Sequence, residues 1–313
     1  MSGAARMRAG GGPLARLARS DLVRDFLASP AAVISALILA AYLAAAAAPG
    51  LVAPHPVFDL ATLDFADAFR PPAWLEGGDQ RFLLGADDQG RDVLSAIVYG
   101  LRVSLFVGLA AVLFSLLVGV TLGLIAGYRG GVVDGLIMRV ADIQLTFPAM
   151  LVAVLVDGLV RAGFGEAVHD RFAAAIIVFA IALSGWVQYA RTVRGSTMVV
   201  ARHNYVLAAR LLGRSTPFIL ARHVLPNVMT PVFVVATIQL AVAIILEATL
   251  SFVGLGIPPT QPSLGTLIRV GNGYLLSGEW WLALFPGLAL LVLVLAVNLL
   301  GDFLRDALNP RLR

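Results

Sequence analysis

Cysteine is absent from this chain of 313 residues. Disulfides, thiolate metal sites and cysteine nucleophiles are therefore excluded. Lysine is absent too, since all 23 basic residues are arginine. A phosphate-binding loop of the GxxxxGK[ST] type needs a lysine to reach the phosphates, so ATP hydrolysis through such a loop is excluded. Charge of either sign is scarce, at 13% of residues against 59% hydrophobic ones. Soluble domains carry about 25% charged residues. With a mean hydropathy of +0.88, the chain reads as an integral membrane protein. Its four histidines, His55, His169, His203 and His223, are far apart in sequence and lack ligand-like spacing, so no metal site is expected. The formal net charge of +4 suggests nucleic acid only in a soluble protein; here its distribution matters more, and no nucleic-acid partner is expected.

What is present is a set of long apolar runs. A bilayer core takes about 20 apolar residues per helix, and six runs qualify, near 31–51, 103–128, 132–160, 172–190, 228–252 and 281–304. Only "RGG" separates the second from the third. Cytoplasmic loops retain arginine. With the N-terminus inside, the inner segments hold fifteen arginines and the outer ones seven, with Arg139 inside the third span. This makes 1–30 a basic cytoplasmic leader, 52–102 a periplasmic segment, 103–305 a five-helix core with a cytoplasmic loop at 191–227, and 306–313 a cytoplasmic tail. The first apolar run is too long for a cleaved signal peptide and is read as an anchor.

One stretch stands apart. "YVLAARLLGRSTPFILARHVLPN", Tyr205 to Asn227, holds Arg210, Arg214, Arg222 and His223 and no acid. Its first eight residues favour a helix, and Gly213 suits that helix's end. Thr216 and Pro217 suit the N-cap and first position of a second short helix, which Pro226 is expected to close. Arg210 and Arg214 share a face if the helix continues across Gly213, and the small Ala208 and Ala209 permit close approach to another surface. On physical grounds the pair of helices lies in the lipid headgroups, connects two spans, or fits a groove in another protein.

Several motifs bear on that choice. "LAARLLG" with the later "HVLPN" resembles the EAA motif of bacterial ABC-importer permeases, whose glycine matches Gly213 and whose closing Leu-Pro matches Leu225 and Pro226; Leu207 replaces the motif's glutamate. "LLGADDQGRDVLSAIVYGLRVSL" resembles the LGTDxxGRDxxSxxxxGxRxSL segment of the dipeptide/oligopeptide/nickel permeases, with Gly85, Asp87, Gly90, Arg91 and Asp92 on matching positions. "AGYRGGVVDGLIMRVADIQLTFPAML" resembles that family's GY-x-GG turn and R-x-x-D-x-x-x-x-FP span, matched by Arg139, Asp142, Phe147 and Pro148. "LEATLSFVGLGIPPTQPSLG" and the C-terminal segment from Trp280 also match it. The resemblance covers nearly the whole chain after the leader and fits the C-type, second subunit of the pair.

That resemblance implies an all-α, six-span permease of the MetI-like type. It implies a homologous permease partner, two ATP-binding subunits that hold ATP and Mg, a periplasmic solute-binding protein, and no cofactor in this chain. The 205–226 loop, through Tyr205, Ala208, Ala209, Arg210, Gly213, Arg214, Leu225 and Pro226, is then the coupling element. The residues themselves support further expectations. Arg139 and Asp142, three apart, are expected to pair within the third span, bracing the bundle in preference to the alternative of lining the pathway. Glu247 is expected to line the pathway or, the favoured role, to cap the loop after the fifth span, and Phe147–Pro148 to kink the third. Gly123 and Gly127 are expected to allow close helix approach. "GADDQGRD" is read as a turn with Arg91 paired to a carboxylate, since it lacks the calcium-loop pattern. The rival reading is an ion-gradient secondary transporter that uses Asp142 and Glu247. A hydrolase built on Ser184 lacks a base within its span.

Overall fold

The computed structural model describes residues 21–57, 63–258 and 260–307. The basic leader up to residue 20, with Arg6, Arg8, Arg16 and Arg19, lies outside the described residues, as do Arg311 and Arg313 in the tail. Among the described residues there is no β-strand, only an isolated bridge between Ala86 and Asp92. Apart from short helical turns such as Pro49–Val52, the helices are α1 (Asp21–Ala28), α2 (Pro30–Ala47), α3 (Val93–Arg129), α4 (Gly131–Thr146), α5 (Ala149–Phe164), α6 (Glu166–Val200), α7 (Asn204–Leu211), α8 (Thr216–Val253), α9 (Leu264–Tyr274) and α10 (Trp281–Ala307). Five of them are long and apolar enough to cross a membrane, and α4 with α5 makes a sixth, bent span.

The short α1 packs Phe26 edge-to-face on Phe303 of α10. Ser29 accepts from the Ala32 amide and Pro30 occupies the first turn, so α2 starts where a cap and a helix-compatible proline coincide.

Helix α3 begins ten residues before the apolar run that announces it. Asp92 caps it, accepting from the Ser95 amide at 2.9 Å, and nothing between Val93 and Arg102 breaks a helix. Its central contact is with α6. A Cβ on Gly119, Gly123 or Gly127 would lie 2.4, 2.6 or 2.6 Å from the carbonyl oxygens of Trp186, Ala190 and Arg194. Glycine every fourth residue thus lets two backbones meet over the C-terminal third of α3. Gly119 belongs to this stripe although sequence reasoning singles out only Gly123 and Gly127.

The third span bends by 89° between α4 and α5. Phe147 precedes a proline and is pushed to extended backbone, with φ −96° and ψ 125°. Pro148 offers no amide to continue the ladder. The expected kink is therefore a full break.

Helix α8 corrects the expectation at Pro226. Thr216–Ile219 runs on through a π-helical turn, Leu220–Val224, into Leu225–Val253 without stopping. In the wider turn the Leu225 amide donates to the Leu220 carbonyl five residues back, just before Pro226, and Asn227 donates its side-chain amide to the His223 carbonyl at 2.7 Å. Ser215, one residue before the expected Thr216, holds the N-cap position.

The segment between α2 and α3 is a cap over one end of the bundle. Trp281 of α10 donates its indole N–H to the Ala86 carbonyl at 3.4 Å, and Trp74 packs edge-to-face on Phe285. Gly85 has φ +88°, and a side chain there would strike the Arg70 carbonyl and the Trp281 ring. Only glycine satisfies both conditions. After α8 the chain passes through Gly254, caps α9 with Ser263, and lays α9 against α8, α3 and α10.

Candidate functional site

The basic stretch forms the surface at the end of the bundle opposite the cap. Helix α7 is two-faced. Val206 and Ala209 are buried with Ile219, Val224 and Val228, while Leu207, Ala208, Leu211 and Leu212 face outward. Leu211 is 89% and Leu212 79% exposed. Of the two small residues, only Ala208 is free to meet another surface, since Ala209 is taken up in the chain's own core.

Gly213 takes φ +71° and ends the helix, so Arg210 and Arg214 diverge rather than share a face. Arg210 donates from Nε to the Tyr128 hydroxyl at 2.9 Å and lies over that ring, whereas Arg214 lies over Phe218. Tyr205 stands between His203, stacked on it at 5.5 Å, and His223 at 6.3 Å. Histidines twenty residues apart in sequence thus flank one tyrosine ring. Leu225 is half-buried on the same cluster, and Pro226 is exposed. Tyr128 is the partner that sequence reasoning missed; its only signal is its place in the "GYRGG" turn.

Arg139 does not pair with Asp142. Asp142 accepts from Arg191 of α6, and Arg139 is exposed. The neighbouring Asp134 takes a two-pronged pair from Arg194, at 2.5 and 2.6 Å. Arg191 and Arg194 lie three apart on α6 and reach α4 because the two helices run side by side there. Spacing within α4 alone gives no such partner.

Glu247 is fully buried. Its carboxylate accepts from Ser104 of α3 at 2.7 Å and from Ser251 at 2.8 Å, and the Ser104 oxygen accepts from the Leu264 amide at 3.3 Å. One side chain thereby joins α3, α8 and the start of α9. The exposed Asp142 and this enclosed Glu247 lie on separate helices with separate partners.

At the α4–α5 break, Phe147 is 58% exposed and, with Pro148, lines a cavity of about 330 Å³ between α3, α6 and α8. Ser184 lies in its wall, and His169, on the same helix, is fifteen residues away. At 1.5 Å per residue that is roughly 22 Å, too far for a nucleophile–base pair. His169 is instead buried against Asp157 at 2.6 Å.

In the cap, Arg91 Nε donates to Asp87 at 2.7 Å, with both side chains buried. Asp87 also accepts the amides of Gln89 and Arg91 at 2.9 Å, and Gly90 turns the chain with positive φ. The carboxylate that Arg91 finds is thus inside its own turn. Beside it, burial and then the charge of Asp87 push the Asp88 carboxyl upward. Asp79 is held below its ordinary value by hydrogen bonds from Arg81.

Comparison with known proteins agrees with this architecture. Residues 119–313 match the family described as binding-protein-dependent transport system inner membrane component. The chain is 41% identical over 259 residues to the di/tripeptide transport system permease protein DppC of Pseudomonas aeruginosa, covering 81% of this chain and 82% of that one. It is 42% identical over 250 residues to the dipeptide transport system permease protein DppC of Escherichia coli K12, covering 80% of each. Among solved structures, an inward-facing MetNI methionine ABC transporter aligns with a TM-score of 0.53 at 18% identity, over 68% of this chain and 96% of that one; this likeness concerns the fold. The chain belongs to the binding-protein-dependent inner membrane component family and is a MetI-like ABC-importer permease rather than an ion-gradient transporter.

Proposed function

We propose that this permease forms half of a translocation path for di- or oligopeptides and receives the energy of ATP through α7. The observation that carries the reading is the two-faced helix. Its inner face is fixed in the core by Val206 and Ala209, while Leu207, Ala208, Leu211 and Leu212 lie uncovered beside Arg210 and Arg214. An apolar patch rimmed by charge marks a protein interface, and the partner is an ATP-binding subunit. Two such subunits hold the ATP and Mg, and their closure moves α7 as a lever on α3 and α8. A homologous permease completes the path, and a periplasmic solute-binding protein delivers cargo to the side of the cap.

The same reading sets orientation in the inner membrane. The α7 surface, both termini and the 191–227 loop face the cytoplasm, and the cap at 52–92 faces the periplasm. Arginine bias supports this, because the loop carries six arginines and no acid. Gly85, Asp87, Gly90, Arg91 and Asp92 then shape the surface on which the binding protein rests. Peptide cargo is supported by the relatives named for di- and tripeptides.

Co-purification of the tagged chain from membranes tests the assignment. A second six-span permease and ATP-binding subunits are expected with it, and peptide uptake should require ATP and the binding protein. A chain that purified alone and moved solute under an ion gradient without ATP would overturn it.

A further inference from the structure

Six glutamines occur in the chain, and three of them, Gln144, Gln188 and Gln239, line the cavity at the α4–α5 break. They come from three separate helices: α4 at its last turn, α6, and α8 near its middle. Gln144 and Gln239 are half-buried, and Gln188 is exposed. Among the described residues none of the three side-chain amides meets a hydrogen-bond partner, and the nearby Ser184 hydroxyl is buried without one. None of the three amides is fully enclosed, so these groups, converging from different helices, stay open to whatever enters the cavity. Irregular backbone at membrane depth is tolerated where it lines a water-filled or ligand-filled space, which is the situation at Phe147 and Pro148. Apart from Ser115, whose hydroxyl donates to the Ala182 carbonyl, the remaining walls are apolar, and no charged side chain lines the cavity. Its volume of about 330 Å³ falls in the range of small-ligand sites, about 300–1,000 Å³.

We propose that this cavity is a way-station that recognises the peptide bonds of the cargo, resting on the peptide reading above. A glutamine side chain is itself an amide, with an acceptor oxygen and a two-proton donor. It pairs with the N–H and C=O of a peptide unit whatever side chains flank that unit. Because no charge is present, the station gives no preference to the ammonium or carboxylate ends of a peptide, and a metal ion finds no anionic ligand. The site therefore discriminates by backbone and is indifferent to sequence, while the binding protein supplies any side-chain preference.

The test uses the whole importer, reconstituted with its partner subunits in vesicles and driven by ATP with saturating loaded binding protein. Two probes are compared: a dipeptide, and its analogue in which an ester replaces the peptide bond and removes the N–H. The intact importer should move the amide about fivefold faster than the ester, the scale of one neutral hydrogen bond. The variants Gln188→Leu and Gln239→Leu keep side-chain bulk. They should lower amide transport about fivefold, on the same scale, and bring the amide-to-ester ratio close to one, while ATP hydrolysis stimulated by the binding protein is retained. An unchanged ratio in both variants overturns the proposal. So does loss of the partner permease on purification, which would make these glutamines interface residues. If the intact importer moves no peptide at all, the cargo reading itself fails, and that result is separate from either outcome in the variants.

Discussion

Arg210 lies over the ring of Tyr128, its guanidinium carbon 4.3 Å from the centroid, while its Nε donates to the phenol oxygen at 2.9 Å. The two residues are 82 apart in sequence. Their contact ties α7 to the last turn of α3, the helix whose glycine stripe packs on α6. On the coupling reading, a displacement of α7 would bear on α3 next to its glycine contacts with α6.

Tyr128→Phe keeps the ring and loses the hydrogen bond, whereas Tyr128→Ala loses both. At an exposed site each contact contributes modestly. We expect Tyr128→Phe to retain peptide transport within about twofold, and Tyr128→Ala to fall by about tenfold in molecules moved per ATP, the combined scale of both contacts. Parallel measurement of uptake and hydrolysis in vesicles checks this. Equal ratios for the two variants would remove Tyr128 from the coupling route.

Glu247 offers a second test, of stability. Glu247→Leu leaves the hydroxyls of Ser104 and Ser251 buried without their acceptor, at a cost of about 1–3 kcal/mol each. Glu247→Gln keeps one acceptor and should cost less. Thermal unfolding in detergent should rank the parent highest, then Gln, then Leu.

Helix packing predicts a contrast between glycines. Gly123→Ala puts a methyl 2.6 Å from the Ala190 carbonyl, and overpacking of that kind costs about 1–3 kcal/mol. At Gly135, on α4, nothing lies within 4 Å of where a methyl would sit, so Gly135→Ala should be neutral or stabilise by up to about 1 kcal/mol. Melting temperatures that moved together would contradict the close α3–α6 approach.

Much of this is legible in the residues. Apolar runs locate the spans, and the glycines and Phe147–Pro148 locate the turn and the break. The start of α3 is hidden because its first turns, "VLSAIVYGLR", are covered by the cap and mix polar with apolar positions. Pro226 misleads because a local rule says that proline ends a helix, while the π turn before it lets the helix continue. Sequence gives Asp142 to Arg139 because it shows neighbours on one helix; the actual partner, Arg191, is 49 residues away. The glutamine cluster is invisible for the same reason, since nothing links three single residues until the helices assemble.

Asp88 gives the cap a pH dependence. Its Oδ1 is buried without a partner, and its Oδ2 accepts from Tyr274 at 3.4 Å. Burial raises its carboxyl in the folded state, so the fold binds the proton more tightly than the unfolded chain does. Stability from this group is therefore fully present below the unfolded value, about 3.9, and is lost as pH rises through the folded one. Asp88→Asn should melt higher than the parent at neutral pH, with the advantage shrinking toward pH of about 4. A constant difference across that range would assign the effect to packing alone.

The two faces of α7 allow folding and docking to be separated. Leu211 is 89% exposed, and Val206 is fully buried. An aspartate at position 206 places a charge in the core that holds α7 to α8, so Val206→Asp should lower the yield and melting temperature of the permease itself. Leu211→Asp charges the uncovered face and leaves the core intact. It should therefore preserve the melting temperature of the isolated permease while reducing recovery of ATP-binding subunits by at least about tenfold, the effect of about 1.4 kcal/mol on an equilibrium. Gly213→Trp has room for its side chain but not for its backbone angle of +71°, and should uncouple hydrolysis from uptake with the permease still inserted. If Leu211→Asp bound its ATPases normally, the docking face would lie elsewhere on this end of the bundle, and the exposed Phe218 and Pro226 would be the next positions to charge.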